Sequence, residues 1–279
     1  MNISHNGSAT TALNMVAKNT NQVAKSVEKL SSGQRINRAG DDAAGLAISE
    51  KMRSQIRGLN QASRNAQDGI SLVQTAEGGL QKGQEILQRV KELAVQASSE
   101  TYDAESTKNI QTEIHELLSE VDDMSGKMEF NGKKLLDGTA DIKIATGASG
   151  EALDVKIASM KTTDLGDATN KLSTFKTGGA NEVVDRDTAQ KLVAAAESAI
   201  GQISTERATI GSKQNRLEHT IENLSTTSEN LSAAESRIRG VDMAKEMMNF
   251  TKNNILSQAA QAMLSQANQQ PQAVLQLLR

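Results

Sequence analysis

Apolar and small side chains recur every seven residues through two long stretches of the chain, and this spacing constrains the fold most. In the first stretch, one row runs from Met52 to Ala94 and a second row, offset by three, runs from Ala62 to Ala97. These rows last about six heptads, beyond the three or four that indicate a coiled coil. The second stretch repeats from Ala189 to Ile238. We therefore predict two long helices, over residues 43–98 and 188–239, that pack along each other.

Small residues dominate the second row of the first stretch, which reads Ala62, Gly69, Ala76, Gly83, Val90 and Ala97. Small side chains allow two helix backbones to approach closely. We therefore predict that the helix axes come close together along this row.

The composition favours an elongated body over a compact globule. Among 279 residues there are three Phe, one Tyr and no Trp, and aromatic side chains normally supply the largest buried areas of a thick core. The net charge of −3 argues against a protein that binds nucleic acid through bulk charge. No apolar run approaches the 18 residues of a membrane span, and no cysteine is present to form a disulfide or a thiolate metal site.

The middle of the sequence contains three segments with different patterns. Asp103 is a plausible N-cap for a shorter third helix. Residues 139–160 alternate apolar and polar side chains around a glycine-bounded turn, which predicts a β-hairpin. Its apolar face consists of Ile142, Ile144, Leu153, Val155 and Ile157. The polar residues 161–187 predict a short variable loop with little structure.

Both ends of the chain carry apolar stripes with no local partner. The N-terminal stripe begins at Leu13, and the C-terminal stripe repeats every seven residues from Val241. Amphipathic helices of this kind need another apolar face, so we predict that the ends mediate self-association. The residues assigned to this role are Leu13, Val23, Val27, Leu30, Met248, Ile255, Ala262, Leu277 and Leu278.

The predicted fold is mostly α: an elongated coiled-coil rod of long antiparallel helices, with a small β-hairpin region at the tip and paired terminal helices. Three regions follow in order. Residues 1–44 form the N-terminal helix and a connector, residues 45–238 form the rod with its hairpin, and residues 239–279 form the C-terminal helix. Gly33, Gly40 and Gly45 are predicted to break the first helix from the second.

No pattern of catalytic, cofactor-binding or metal-ligating residues stands out. Two pairs of adjacent aspartates, at 41–42 and 122–123, have no histidine nearby and are interpreted as caps or solvated side chains. His115 and Glu116 begin an H-E-x-x-H-like stretch, but its second histidine position is Ser119. We therefore predict that the chain is not an enzyme and needs no cofactor or metal.

Several longer motifs resemble those of bacterial flagellins. The stretch LSSGQRINRAGDDAAGLAI from Leu30 to Ile48 resembles the N-terminal signature of that family. Further similar segments are NAQDGISL from Asn65, FNGKKLL from Phe130, SRIRGVDMA from Ser236 and the ending VLQLLR from Val274. The resemblance extends over essentially the whole chain.

This resemblance implies a structural subunit that polymerises into the flagellar filament for motility. In the family, the terminal helices form the inner tube and fold on assembly, while the long helices form the next layer. A flagellar hook-filament junction (hook-associated) protein is the alternative, although such proteins diverge from the signature between Ser31 and Gly45. An enzyme with an inserted peptidase domain and a free coiled-coil adhesin fit the sequence less well.

The resemblance also implies partners and a location. A flagellin binds copies of itself, an export chaperone, the flagellar type III export apparatus, and the hook-associated and cap proteins. It is extracellular and is secreted without a cleaved signal peptide. The residues Gln88, Arg89, Leu93 and Glu113 resemble the patch by which flagellins engage a host Toll-like receptor. No nucleic-acid or membrane partner is expected.

Overall fold

The computed structural model describes residues 6–99, 103–167, 170–176, 178, 181, 183 and 185–277, with side chains inside the last helix described through residue 269. The described helices are α1 (Gly7–Ser32), α2 (Ala43–Ala97), α3 (Ala104–Lys127), a short 3-10 helix (Leu172–Phe175), α4 (Arg186–Arg239) and α5 (Met243–Leu277). Short strands β1 (Glu129–Phe130), β2 (Lys133–Lys134), β3 (Asp141–Ala145) and β4 (Ala152–Lys156) form two antiparallel hairpins. The predicted mostly helical class is confirmed.

The chain divides into two compact units. The terminal unit comprises residues 1–56 and 229–279, and the central unit comprises residues 57–228. The helices α2 and α4 each contribute residues to both units.

In the central unit, α2 and α4 run antiparallel to each other. Lys91 forms an ion pair with Glu197 (Nζ–Oε1 2.8 Å), and the Ser228 hydroxyl donates a hydrogen bond to Asn60 at 3.0 Å. The predicted heptad rows lie along the buried side of each helix, as the coiled-coil interpretation requires. Their buried members include Leu59, Ala66, Val73, Leu80, Leu87 and Ala94 on α2, and Ala189, Ala196, Ile203, Ile210, Leu217 and Leu224 on α4.

The glycines of the second row have a different role from the predicted one. A Cβ atom placed on Gly69 would collide with Ile144 of β3, and one on Gly83 would collide with Met160. These glycines therefore make room for the hairpin and the segment after it. The expectation that they bring two helix axes together is wrong, because β3 and Met160 occupy the space above them.

The predicted hairpin is confirmed in position and in orientation. Its register pairs Ile142 with Val155 and Ile144 with Leu153, which places these four side chains on one face. A second hairpin, β1–β2, is not predicted from the sequence. It turns through Asn131 (φ 50°) and Gly132 (φ 75°), and this Asn-Gly pair is a strong signal for a two-residue hairpin turn.

The described residues of segment 161–187 pack onto the core, which the prediction of a loop with little structure does not anticipate. Leu165, Leu172, Phe175 and Val183 of this segment are all 4% exposed or less. Polar anchors on α3 hold the segment in place. Gln111 donates from Nε2 to the Phe175 carbonyl (2.9 Å) and accepts from the Val183 amide (3.0 Å).

Asp122 on α3 is the second anchor, and its carboxylate predicts a pH dependence of stability. It accepts hydrogen bonds from the amide and the hydroxyl of Thr162, each at 2.7 Å, and from Lys176. Partial burial raises the pKa of Asp122, but the hydrogen bonds from Lys176 and Thr162 outweigh it, so the pKa lies below its ordinary value. Because the folded-state pKa is the lower one, the stabilisation is complete above the unfolded pKa of about 4 and is lost as the pH falls through the folded value.

We expect Asp122→Asn to be less stable than the wild type near pH 6, with a difference that shrinks below about pH 4. Urea unfolding of both proteins at a series of pH values measures the difference directly. Other carboxyl groups titrate equally in the two proteins, so they cancel. A difference that stays constant from pH 6 to pH 3 would contradict this role of Asp122.

Candidate self-assembly surface

The terminal unit is built around an antiparallel pair of helices, α1 and α5, which we call the terminal helix pair. Asn6 caps α1 by accepting a hydrogen bond from the Ala9 amide (3.2 Å), and its Nδ2 donates to the Ala267 carbonyl of α5 (2.8 Å). At the opposite end of the pair, the Gly33 carbonyl accepts from the Val241 amide (3.2 Å). The predicted pairing of the terminal helices is therefore present.

Small side chains form the seam between these two helices. The residues buried there are Ala12 and Ser26 on α1 and Ala260 and Ala267 on α5. Larger residues such as Val16, Val23 and Leu264 are only half-buried. Because burial free energy scales with the apolar area removed from water, a seam of alanine and serine stabilises the pair only weakly.

Large apolar side chains remain exposed outside the seam. Met248, Ile255 and Met263 of α5 are 67%, 59% and 66% exposed, and Leu13 of α1 is 56% exposed. At about 100° per residue, the seven-residue row Met248–Ile255–Ala262 lies on the side of α5 opposite the seam. A helix that is apolar on more than one side normally becomes buried on more than one side.

The residues predicted for self-assembly therefore fall into three groups. Leu13, Val27, Met248, Ile255 and Ala262 are exposed, and their contact with another copy stays a prediction. Val23 and Leu30 are half-buried. The Leu277 side chain and the whole of Leu278 lie outside the described residues.

Charge is distributed unevenly along the terminal helix pair. Residues 7–17 of α1 and residues 253–269 of α5, which lie side by side, contain no Asp, Glu, Lys or Arg. The charged side chains of both helices lie nearer the connector, at Lys18, Lys25, Glu28, Lys29, Lys245, Glu246 and Lys252. Because burying an unpaired charge is costly, a charge-free half is suited to an interface that excludes water.

Arg239, at the end of α4, holds the connector in place. Its side chain donates from Nη1 to Glu50 and from Nη2 to Gln34, each at 2.7 Å, and its carbonyl accepts from the Arg35 amide at 2.7 Å. Arg239 is 9% exposed. The sequence gives no sign of this buried guanidinium beyond its place in the motif that begins at Ser236.

A glycine follows the end of α1, but the start of α2 is not determined by a glycine. Gly33 has φ 68°, a left-handed conformation typical of a residue just after a helix. The prediction that Gly45 also helps to break the helices is wrong, because α2 begins at Ala43. Asp41 receives hydrogen bonds from the amides of Arg38 and Asn37, which lower the pKa of its carboxyl group.

The predicted receptor patch lies on α2 and α3 and is only partly a surface feature. Arg89 donates to Glu113 (Nη2–Oε1 2.9 Å), and both side chains are about half exposed, as is the neighbouring surface around Gln88. Leu93, by contrast, is 2% exposed in the single subunit. Its side chain belongs to the apolar core, and a receptor contact through these four residues stays a prediction.

The described residues contain no group of three or more His, Cys, Asp or Glu side chains arranged to hold a metal ion. Among the same residues, no helix is both long enough and apolar enough to cross a membrane. On α3, Ser119 lies one turn after His115, at the position that the second histidine of an H-E-x-x-H zinc motif would occupy.

Comparisons with known proteins cover both halves of the molecule. Residues 3–141 match the family described as bacterial flagellin N-terminal helical region, and residues 193–278 match the bacterial flagellin C-terminal helical region. The chain is 53% identical to a flagellin of Bacillus subtilis and 53% identical to a flagellin of Halalkalibacterium halodurans, with all of each chain covered. A solved structure of a candidate flagellar hook-associated protein from Vibrio parahaemolyticus is similar in fold alone, with a TM-score of 0.59 and 11% identity over 72% of this chain and 100% of that one.

Proposed function

This chain belongs to the bacterial flagellin family, and from that premise we propose that its terminal helix pair is the surface through which one subunit binds the next. The protein is a structural subunit of the flagellar filament, which lies outside the cell. What the family does not specify is which side chains of this molecule carry the contacts between subunits.

The exposed apolar row on α5 is the observation that carries the proposal. Met248 and Ile255 are more than half exposed on the side of α5 opposite α1, so the terminal helix pair cannot cover them itself. Isolated exposed apolar residues are ordinary on a protein surface, but a continuous patch marks an interaction site. Here Met247, Met248, Ile255 and Leu256 line one groove together with Thr251 and Lys252.

Assembly of identical subunits supplies the missing faces. A contact that joins one patch to a different patch on the next copy generates an open helical polymer when the rotation between copies does not close into a ring. The terminal helix pair, which its alanine-rich seam stabilises only weakly, then gains stability as further copies cover the exposed sides of α1 and α5. We infer that the terminal helices become fully stable on assembly, because a helix whose apolar face is uncovered gains too little to offset its ordering entropy.

The charge-free half of the terminal helix pair indicates which layer of the filament the terminal helices form. We propose that residues 1–44 and 239–279 form the inner layer of the filament and that residues 45–238 form the layer around it. The uncharged stretch of α5 from residue 253 onward fits the driest part of such an inner layer, since no charged side chain needs solvation there.

The same apolar surface must be covered before assembly. We propose that an export chaperone binds it in the cell, that the chain leaves through the flagellar type III export apparatus without a cleaved signal peptide, and that hook-associated and cap proteins contact the two ends of the polymer. The exposed side chains of Gln88, Arg89 and Glu113 are proposed as a contact for a host Toll-like receptor. The hook-associated role for the chain itself has no observation in its favour beyond a shared fold.

The proposal predicts that removal of residues 1–31 and 245–279 abolishes polymerisation. The central unit retains its own buried core, from Leu59 to Leu224, so the shortened protein is expected to remain soluble and helical. Electron microscopy and sedimentation test for polymer, and circular dichroism tests for helix. The full-length chain in the same buffer is the control. Filaments that still form from the shortened protein would refute an essential role of the terminal helices.

A further inference from the structure

Methionine is distributed unevenly between the buried and the exposed parts of the molecule. Nine of the ten methionines lie within the described residues. Five of these nine are large exposed residues, and all five are on α1 or α5: Met15 (56%), Met243 (49%), Met247 (49%), Met248 (67%) and Met263 (66%). In the rest of the described chain, Met160 is 1% exposed, and Met52, Met124 and Met128 are half-buried.

Four of the five exposed thioethers line the grooves of the proposed self-assembly surface, and the fifth, Met243, is the first residue of α5, one turn before Met247. Met247 and Met248 form part of the groove on α5 that also contains Ile255 and Leu256. Met15 of α1 and Met263 of α5 face a second groove, which lies between the two helices and also contains Leu256 and Ala260. Oxidation at any of these four groove positions would therefore place a polar group where apolar contact is needed.

We infer that these five methionines form an oxidation-sensitive site that controls polymerisation, an inference that rests on the proposed function. Hydrogen peroxide is the oxidant. The thioether sulfur attacks one peroxide oxygen, an S–O bond forms and the O–O bond breaks. The departing oxygen already carries one hydrogen. It takes up the proton released by the oxygen that has bonded to sulfur, and it leaves as water. Sulfur is oxidised by two electrons, and peroxide is reduced by two.

The resulting sulfoxide opposes assembly for a simple physical reason. It converts a flexible apolar side chain into one with a strong hydrogen-bond acceptor. In the free subunit, water satisfies this acceptor, because the side chains are about half exposed or more. In a polymer that covers the two grooves, the acceptor would be buried without a donor, which disfavours the contact. Assembly should in turn shield the thioethers from peroxide.

The test treats the full-length free subunit with dilute peroxide and follows each methionine by peptide mass spectrometry. We expect the five exposed methionines to oxidise at least about tenfold faster than Met160, since susceptibility follows exposure. The treated subunit should need about tenfold or more protein to polymerise, as measured by sedimentation. Reduction by a methionine sulfoxide reductase should restore polymerisation. The four groove methionines should be protected in preformed filaments.

Two variants separate this site from oxidation elsewhere. In the first, Met15, Met243, Met247, Met248 and Met263 are all replaced by Leu, which keeps the surface apolar at similar volume, and peroxide should not change the concentration that this variant needs to polymerise relative to the same variant without peroxide. In the second, only Met52, Met124 and Met128 are replaced by Leu, and sensitivity should persist. Normal polymerisation of wild-type protein that carries all five sulfoxides would overturn the inference. Polymerisation by the chain that lacks both terminal segments would instead overturn the proposed function, so the two failures are distinguishable.

Discussion

The double variant Met248→Asp, Ile255→Asp is expected to need about 100-fold or more protein to polymerise than the wild type. Both side chains are exposed in the single subunit, so a carboxylate at either place is solvated there and costs little. In the polymer, the same carboxylate would be buried against apolar groups without a cation. An uncompensated buried charge costs several kcal/mol, and about 3 kcal/mol already corresponds to a factor of 100.

The controls for this variant keep the positions and change only the chemistry. Met248→Leu, Ile255→Leu preserves an apolar surface and should polymerise nearly as well as the wild type. Circular dichroism of the aspartate variant should match that of the wild-type subunit, because neither side chain supports the fold of the single chain. Filaments of the aspartate variant at the wild-type concentration would show that this side of α5 faces solvent in the polymer.

The long helices could be predicted because their signal is local in sequence. A heptad row such as Leu59, Ala66 and Val73 identifies the buried face of its own helix, and no knowledge of the partner that covers this face is needed. The hairpin β3–β4 was predictable for the same reason, since alternation at Ile142 and Ile144 identifies one face without knowledge of the contact beneath it.

Contacts between distant segments could not be predicted in this way. Gly69 reveals that a space is needed, but Ile144, which fills that space, lies far along the chain. Segment 161–187 has a polar composition and no regular period, so Phe175 and Val183 give no pattern that marks them as core residues. Gln111 and Asp122 of α3 form hydrogen bonds to this segment across a large sequence separation, so no local pattern predicts them.

The candidate assembly surface was predictable in part. Met248 and Ile255 lie on one seven-residue row, and the sequence therefore identifies them together. Met15, Met247 and Met263 lie off that row, and their place beside the grooves depends on how α1 and α5 pair. Arg239 is one of two arginines in the last turn of a polar helix, and its burial depends on a connector that sequence periodicity does not describe.

The second large effect is expected from Gln111→Leu, which should lower the free energy of unfolding of the central unit by about 3 kcal/mol. Gln111 is 7% exposed, and its amide serves a carbonyl and an amide of residues that are themselves buried. Leucine fills a similar space but leaves the Phe175 carbonyl and the Val183 amide without partners. Each unsatisfied buried group costs about 1–3 kcal/mol, so calorimetry should record a melting temperature lower by ~10 °C.

Gln111→Glu separates the two hydrogen bonds. Glutamate keeps the shape and an acceptor for the Val183 amide, but at neutral pH it places a carboxylate oxygen against the Phe175 carbonyl. We therefore expect it to be at least as destabilising as leucine near pH 7. The deficit relative to the wild type should narrow in acid, where protonation restores a donor. Gln74→Leu, at an exposed glutamine of α2, should change stability by no more than about 0.5 kcal/mol. Equal stability of Gln111→Leu and Gln74→Leu would mean that the hydrogen bonds of Gln111 do not contribute to the stability of the central unit.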